Sequence, residues 1–173
     1  MKATIPGGDL KVVSDNNECY IIVGDFPIEM EILPDISDSK SVNYANENAI
    51  GRTAPFVIFA NGELRNISWT CHFIVKKESD VEKYLSYIRA LQSACYPENP
   101  VGHPPPICQL YCGSILSENQ LCAVLKSYSI KFDTTVPWDE NRLIPYKLDI
   151  DLQFDVVYNQ SELPISSDIL TDF

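Results

Sequence analysis

The 173-residue sequence contains no run of about 18 apolar residues, so no segment reads as a membrane-spanning helix. Its opening stretch, MKATIPGGDLK, lacks an apolar h-region, and a secretory signal is not expected there. Histidine is scarce: His72 and His103 are the only two. No GxSxG elbow, HExxH, P-loop or GxGxxG pattern accompanies them. A triad needs no sequence adjacency, but with two histidines and no supporting motif the chain is not expected to be an enzyme. Basic residues are also few, with 13 Lys and Arg against 24 Asp and Glu, giving a net charge of −11. They are scattered, so no clustered basic face offers tight nucleic-acid binding. DNA passing nearby without adhering is compatible with this charge.

What is present is ordinary for a globular chain: 45% hydrophobic and 21% charged residues. One domain over 1–173 is the simplest organisation, and a chain of this length buries roughly 70% of its unfolded surface. It therefore needs no staples, and its six cysteines (Cys19, Cys71, Cys95, Cys108, Cys112, Cys122) are expected as reduced thiols packing like small hydrophobes.

Two of them lie in NPVGHPPPICQLYCG (99–113), whose histidine and thiols have a ligand-like composition. If 107–113 is a strand, Cys108 and Cys112 share a face but sit about 13 Å apart. Shared ligation of one zinc needs each sulfur about 2.3 Å from the metal. A disulfide between them needs Cα atoms within about 7 Å. No metal and no cofactor is expected. The prolines fix φ and redirect the chain as a stiff corner.

Along the chain, residues 1–16 read as a loose arm. CYIIVG (19–24) and PIEMEIL (27–33) read as strands joined at Asp25-Phe26-Pro27. Residues 34–51 are polar and turn-rich and read as a long exposed loop. PFVIFA (55–60), followed by Asn61-Gly62, predicts a hairpin into the next strand. In that strand Ile67, Trp69, Cys71, Phe73 and Val75 alternate with polar residues. The period then changes. SDVE (79–82) fits a capping box with Ser79 as N-cap and Glu82 reaching back. Val81, Tyr84, Leu85, Ile88, Leu91 and Cys95 form an apolar stripe, predicting a helix over about 79–96 that ends before Pro97.

Strands return with ICQLYCG and with LCAVLKSYSIKFD (121–133), where Cys122, Val124, Tyr128, Ile130 and Phe132 are expected on one side. In PYKLDIDLQFDVVY (145–158), Tyr146, Leu148, Ile150, Leu152, Phe154 and Val156 alternate with polar residues. The last residues, 159–173, read as an extended acidic tail. The expected fold is mostly β, an antiparallel sandwich or open barrel with one flanking amphipathic helix. Asp149, Asp151 and Asp155 stand on the polar side of the last strand at spacings of about 6.6 Å, a row rather than a converging pair. The row reads either as a solvated sheet face or as a negative surface facing a sliding polyanion.

With this order of elements, the segment from about Ile50 to Tyr158 resembles the tail-tube-like baseplate proteins of contractile-tailed bacteriophages and related injection machines. That family includes tube-initiator rings and baseplate proteins that often carry a LysM module. The resemblance rests on the alternating strand with Trp69 and Phe73, and on the single helix ending at Tyr96-Pro97. It continues through Gly102-His103-Pro104-Pro105-Pro106, QLYCG, VLKSYSIKFD, TTVPW and IPYKLDIDLQFDVV. It spans about two-thirds of the chain. The first fifty residues fall outside it, and no LysM module follows, so peptidoglycan binding is not expected.

The resemblance implies a homohexameric ring whose neighbouring sheets join into an inner barrel for DNA passage. The implied role is a structural virion protein at the junction of tail tube and baseplate, assembled in the host cytoplasm, with no membrane contact. Its implied partners are its own copies, the tail tube protein, and hub or wedge proteins of the baseplate. In such a ring Asp149, Asp151 and Asp155 would face the lumen. Asp35, Asp38, Lys40, Tyr44 and Glu47 of the 34–51 loop would meet adjacent rings. Two other readings stay open: a monomeric β-sandwich module binding a carbohydrate or protein through Trp69, Trp138 and Tyr146, and an enzyme using His72 or His103.

Overall fold

The computed structural model describes residues 3–5, 8–10, 12–13, 18–48, 50–51, 53–97, 102–158 and 163. In these, two-residue alternation builds strands nearly everywhere. They are β1 (Ala3–Ile5), β2 (Gly8–Leu10), β3 (Cys19–Val23), β4 (Phe26–Glu29), β5 (Asp35–Ser39), β6 (Val42–Glu47), β7 (Phe56–Gly62) and β8 (Asn66–Ile74). Helix α1 (Glu78–Ser93) follows, then β9 (Cys108–Cys112), β10 (Leu116–Lys131), β11 (Trp138–Asp139), β12 (Ile144–Pro145) and β13 (Lys147–Val156). Seven strands form one antiparallel sheet in the order β4-β3-β9-β10-β13-β8-β5.

The longest unbroken pairing in the sheet is β8–β13, in register from Lys147 opposite Ile74 to Asp155 opposite Asn66. Ile67, Trp69, Cys71 and Phe73 on β8 face the same side as Leu148, Ile150, Leu152, Phe154 and Val156 on β13, and all are buried. Leu110, Cys108 and Cys112 of β9 and Ile21 and Cys19 of β3 continue that face into one core. The fully buried Trp69 indole N–H has no conventional acceptor. It is directed at the Cys71 sulfur, whose burial otherwise pushes that thiol far above its ordinary range.

Helix α1 packs on this face through Val81, Tyr84, Tyr87 and Leu91. Tyr87 touches two distant strands, with ring centroids 6.1 Å from Phe26 on β4 and 5.9 Å from Phe73 on β8. In a flat sheet those strands would lie about 24 Å apart. The sheet therefore curls around its own apolar face as an open barrel, and the helix sits across the gap. Glu31, just after β4, reaches Lys76 after β8 at 3.4 Å and Lys83 of α1 at 3.1 Å across the same gap. This is the mostly β, single-helix architecture that the alternation predicts.

Several local expectations are corrected. Residues 34–51 are not a loop: β5 pairs with the edge of β8, and β6 pairs with β7. Asn61-Gly62 lies inside β7 rather than at a turn, because the apolar run pairs backwards with β6 instead of forwards with β8. Phe26 and Pro27 belong to β4, and the tight turn is Gly24-Asp25, with Gly24 at φ +59° as a two-residue hairpin turn demands.

The helix N-cap is Lys77, not Ser79. The Asp80 carboxylate accepts from the amides of Lys76 at 3.1 Å and Lys77 at 2.9 Å. On the helix face Tyr87 and Ala94 are buried, whereas Leu85, Ile88 and Cys95 are only half-buried. On β10 a bulge between Leu125 and Ser127 switches the faces. Leu121, Ala123 and Leu125 point inward, so Cys122 and Val124 stand on the other side, and Phe132 beyond the strand is exposed. Tyr146, just before β13, is also exposed. The described part of the N-terminal arm is paired: β1 with β2, and Val12 in a bridge to Ile32. The C-terminal tail over 159–173 lies outside the described residues except Leu163.

Phe154→Ala is expected to cost about 3–5 kcal/mol in urea unfolding, as for other buried aromatic truncations. Val157→Ala, one residue past β13 and partly exposed, should stay within about 0.5 kcal/mol of the parent. The Asp80 carboxyl is held below its ordinary value, chiefly by the Lys76 amide. Such a group stabilises the fold above its unfolded pKa and loses that contribution as pH falls through the folded value. Asp80→Asn should therefore lower stability at neutral pH and flatten its decline between about pH 4 and pH 2, read by thermal melts across that range.

Candidate functional site

Two surfaces stand out, one polar and one apolar. The polar surface is the outer face of β5, β8, β13 and β10. Because side chains alternate, the residues between the core positions of β8 and β13 meet one another on this face. Gln153 donates to Ser68 at 2.6 Å, Thr70 to Asp151 at 2.7 Å, and Asn66 to Asp155 at 2.9 Å. His72 Nδ1 lies 2.7 Å from Asp149 directly opposite, and its Nε2 lies 3.3 Å from Asp35 on β5.

The aspartate row thus lies on the face opposite the core, as the strand period requires, and each of its carboxylates has a cross-strand partner. Cations add to this: Lys147 stands 3.2 Å from Asp149, and Lys126 in the β10 bulge stands 3.4 Å from Asp155. Asp38 on β5 is bridged by Arg65, with its closest contact at 2.6 Å. The row is an acidic wall with its charges partly offset, held in place by hydrogen bonds.

The apolar surface is the β6–β7 hairpin. It continues the β5–β8 ribbon past Lys40-Ser41 and Glu63-Arg65 and adds about 20 Å of length. Ser41 donates to the Glu63 carboxylate, and Asn43 donates to it at 3.2 Å, so the base of the ribbon is fixed. Cross-strand partners share a face, so Tyr44, Phe59 and Val57 stand on one side and Phe56 and Ile58 on the other. Tyr44 and Phe59 meet edge to face at 6.2 Å. All five are exposed, and Val57, Phe59 and Tyr44 are each more than 60% so. A two-stranded ribbon by itself buries little of either side. The edge strands of the seven-stranded sheet are β4 and β5.

The residues expected in a contact loop divide between these surfaces. Asp35 and Asp38 are engaged within the sheet by His72 and Arg65. Tyr44 and Glu47 are exposed on the projecting hairpin, and Lys40 lies at its base, 6.0 Å from the Tyr158 ring. Phe56, Val57, Ile58 and Phe59 were missed, because a continuous apolar run reads first as a buried strand. The signal was the polarity of its partner segment VNYANE, which offers no second layer to bury it.

Trp69 is fully buried and cannot stack on a ligand from solvent, and the Trp138 indole donates to the Asp133 carbonyl at 2.9 Å. In the proline corner His103 is exposed in the approach to β9, while Cys108 and Cys112 point into the core. His72 has the carboxylate contact of a catalytic histidine, but on its outward face it meets a second carboxylate, that of Asp35, rather than a hydroxyl or thiol. No protein-family model and no curated protein matches the chain.

His72→Ala removes a hydrogen bond to a carboxylate and is expected to cost about 1.5–3 kcal/mol in chemical denaturation. His103→Ala, at an exposed position, should cost less than about 0.5 kcal/mol in the same measurement.

Proposed function

We propose that the protein is a structural component of a contractile phage-type tail, at the junction of tube and baseplate, working as a sixfold ring around the DNA path. The observation that carries this reading is the β6–β7 hairpin, which is apolar on both sides. An isolated subunit leaves Val57, Ile58 and Phe59 exposed, and a neighbouring subunit or ring would cover them. The edge strands β4 and β5 support the same reading, since strands of adjacent copies can extend the sheet there. The row Asp149, Asp151 and Asp155, together with the net charge of −11, suits a wall past which a polyanion slides without adhering. The role is non-catalytic. Its partners are further copies, the tube protein and baseplate hub or wedge proteins, and assembly takes place in the host cytoplasm before the virion is complete.

The test is particle mass by light scattering on gel filtration, with negative-stain images, for the protein alone and mixed with candidate tube and baseplate proteins. Rings or co-assembly are expected in the mixture even if the isolated protein stays monomeric. Replacing residues 44–59 by a short glycine-serine turn should leave the melting transition of the body in place and abolish co-assembly. A protein that stays alone with every candidate partner, or a hairpin deletion that still co-assembles, would overturn the proposal.

A further inference from the structure

The pairing of β3 with β9 brings two cysteines, 93 residues apart in sequence, into direct contact. Cys19 on β3 and Cys112 on β9 are cross-strand partners, both facing the core and both buried. Their sulfurs are 2.8 Å apart, well inside van der Waals contact. The amide of Gly113 donates to the carbonyl of Glu18 at 3.1 Å, so the flanking residues form the hydrogen-bonded pair. That makes Cys19–Cys112 a non-hydrogen-bonded pair, with Cα atoms about 4.5 Å apart. This lies inside the span of about 4.4–6.8 Å over which disulfides close. On the opposite face the adjacent pair Tyr20 and Tyr111 stack with centroids 5.0 Å apart, which holds the two strands in this register.

We propose that Cys19 and Cys112 form a cross-strand disulfide on exposure to a low-molecular-weight disulfide such as oxidised glutathione, fastening β3 and β4 to the rest of the sheet. Cys19 and Cys112 are only 5% and 4% exposed, and β3 lies next to the edge strand β4, so local opening of the β3–β4 edge gives the oxidant its approach. Cys112 is the attacking sulfur. The Cys19 thiol donates to it, which holds Cys112 below the ordinary thiol value against the opposing effect of burial. The same contact, with burial, holds the Cys19 proton in place. By contrast, burial pushes Cys108 up to about 11.

The Cys112 thiolate, its proton released to water, attacks one sulfur of the oxidant. A mixed disulfide forms and the first small thiolate leaves with the Cys19 proton. The Cys19 thiolate then attacks the Cys112 sulfur and expels the second small thiolate, which takes up the proton that Cys112 released. Two protein thiols are oxidised and one small disulfide is reduced to two thiols. The chemistry does not depend on how the chain assembles.

The test uses the purified full chain in buffers of reduced and oxidised glutathione, quenched with acid, alkylated under denaturing conditions and mapped by mass spectrometry. The six thiols are expected to fall to four, with one bridge joining the Cys19 and Cys112 peptides. Cys95→Ala should still lose two thiols, whereas Cys112→Ala should form no bridge. Oxidised protein should also resist proteolysis in 19–33 better than reduced protein. Six thiols surviving the oxidant, a bridge between any other pair, or a glutathione adduct that persists on one cysteine would each overturn the proposal. The mapping of the unsubstituted chain decides the matter even if a cysteine variant fails to fold.

Discussion

A sixteen-residue helix is about 24 Å long and about 10 Å wide, while seven strands laid flat would span about 29 Å. The helix alone cannot dry the apolar face of such a sheet, so the sheet has to cover itself. That requirement sets the curvature, and the curvature sets what meets what. Tyr87 can touch both Phe26 and Phe73 only because the sheet bends, and Glu31 can reach Lys76 and Lys83 for the same reason. The bulge at Lys126 belongs to the same constraint, because an extra residue in β10 bends and twists the strand where the curl passes through it.

How far the sequence disclosed this depends on whether each element's signal is local. β8 and β13 alternate cleanly over nine and ten residues, so their inner faces could be read directly. The stripe of α1 was legible for the same reason. The helix start was not, because both Ser79 and Asp80 are competent capping residues and only the fold decides that the Asp80 carboxylate turns back to Lys76 and Lys77. Pairing partners were the least legible. Asn61-Gly62 is a strong local hairpin signal, yet β7 pairs with β6, since the edge of β8 that it would need is taken by β5. The thiol contact was equally hidden: spacing ruled out Cys108 with Cys112, but nothing local names Cys19 as the partner across the sheet.

The polar face shows how an acidic protein keeps carboxylates on a sheet without repulsion opening it. Each aspartate of β13 finds a donor on β8, and Lys147 and Lys126 lower the local charge further. The chain's strongly negative net charge therefore does not fall on this wall undiluted. A surface of this kind is stiff as well as polar, because every rung joins two strands whose other faces are packed in the core.

The β8–β13 pair also carries its own proofreading. A slip of β13 by one residue would turn Asp149, Asp151 and Asp155 into the core, leave Leu152 and Phe154 in water, and break every rung of the polar ladder together. Wrong alignments of these strands thus fail on both faces at once. The β6–β7 ribbon has no such check. With apolar side chains on both sides, a slipped pairing would expose much the same surface, and its ladder already shifts between Asn43 and Tyr44. The body of the protein is committed to one alignment by its own sequence, while the ribbon leaves part of that decision to whatever surface comes to cover it.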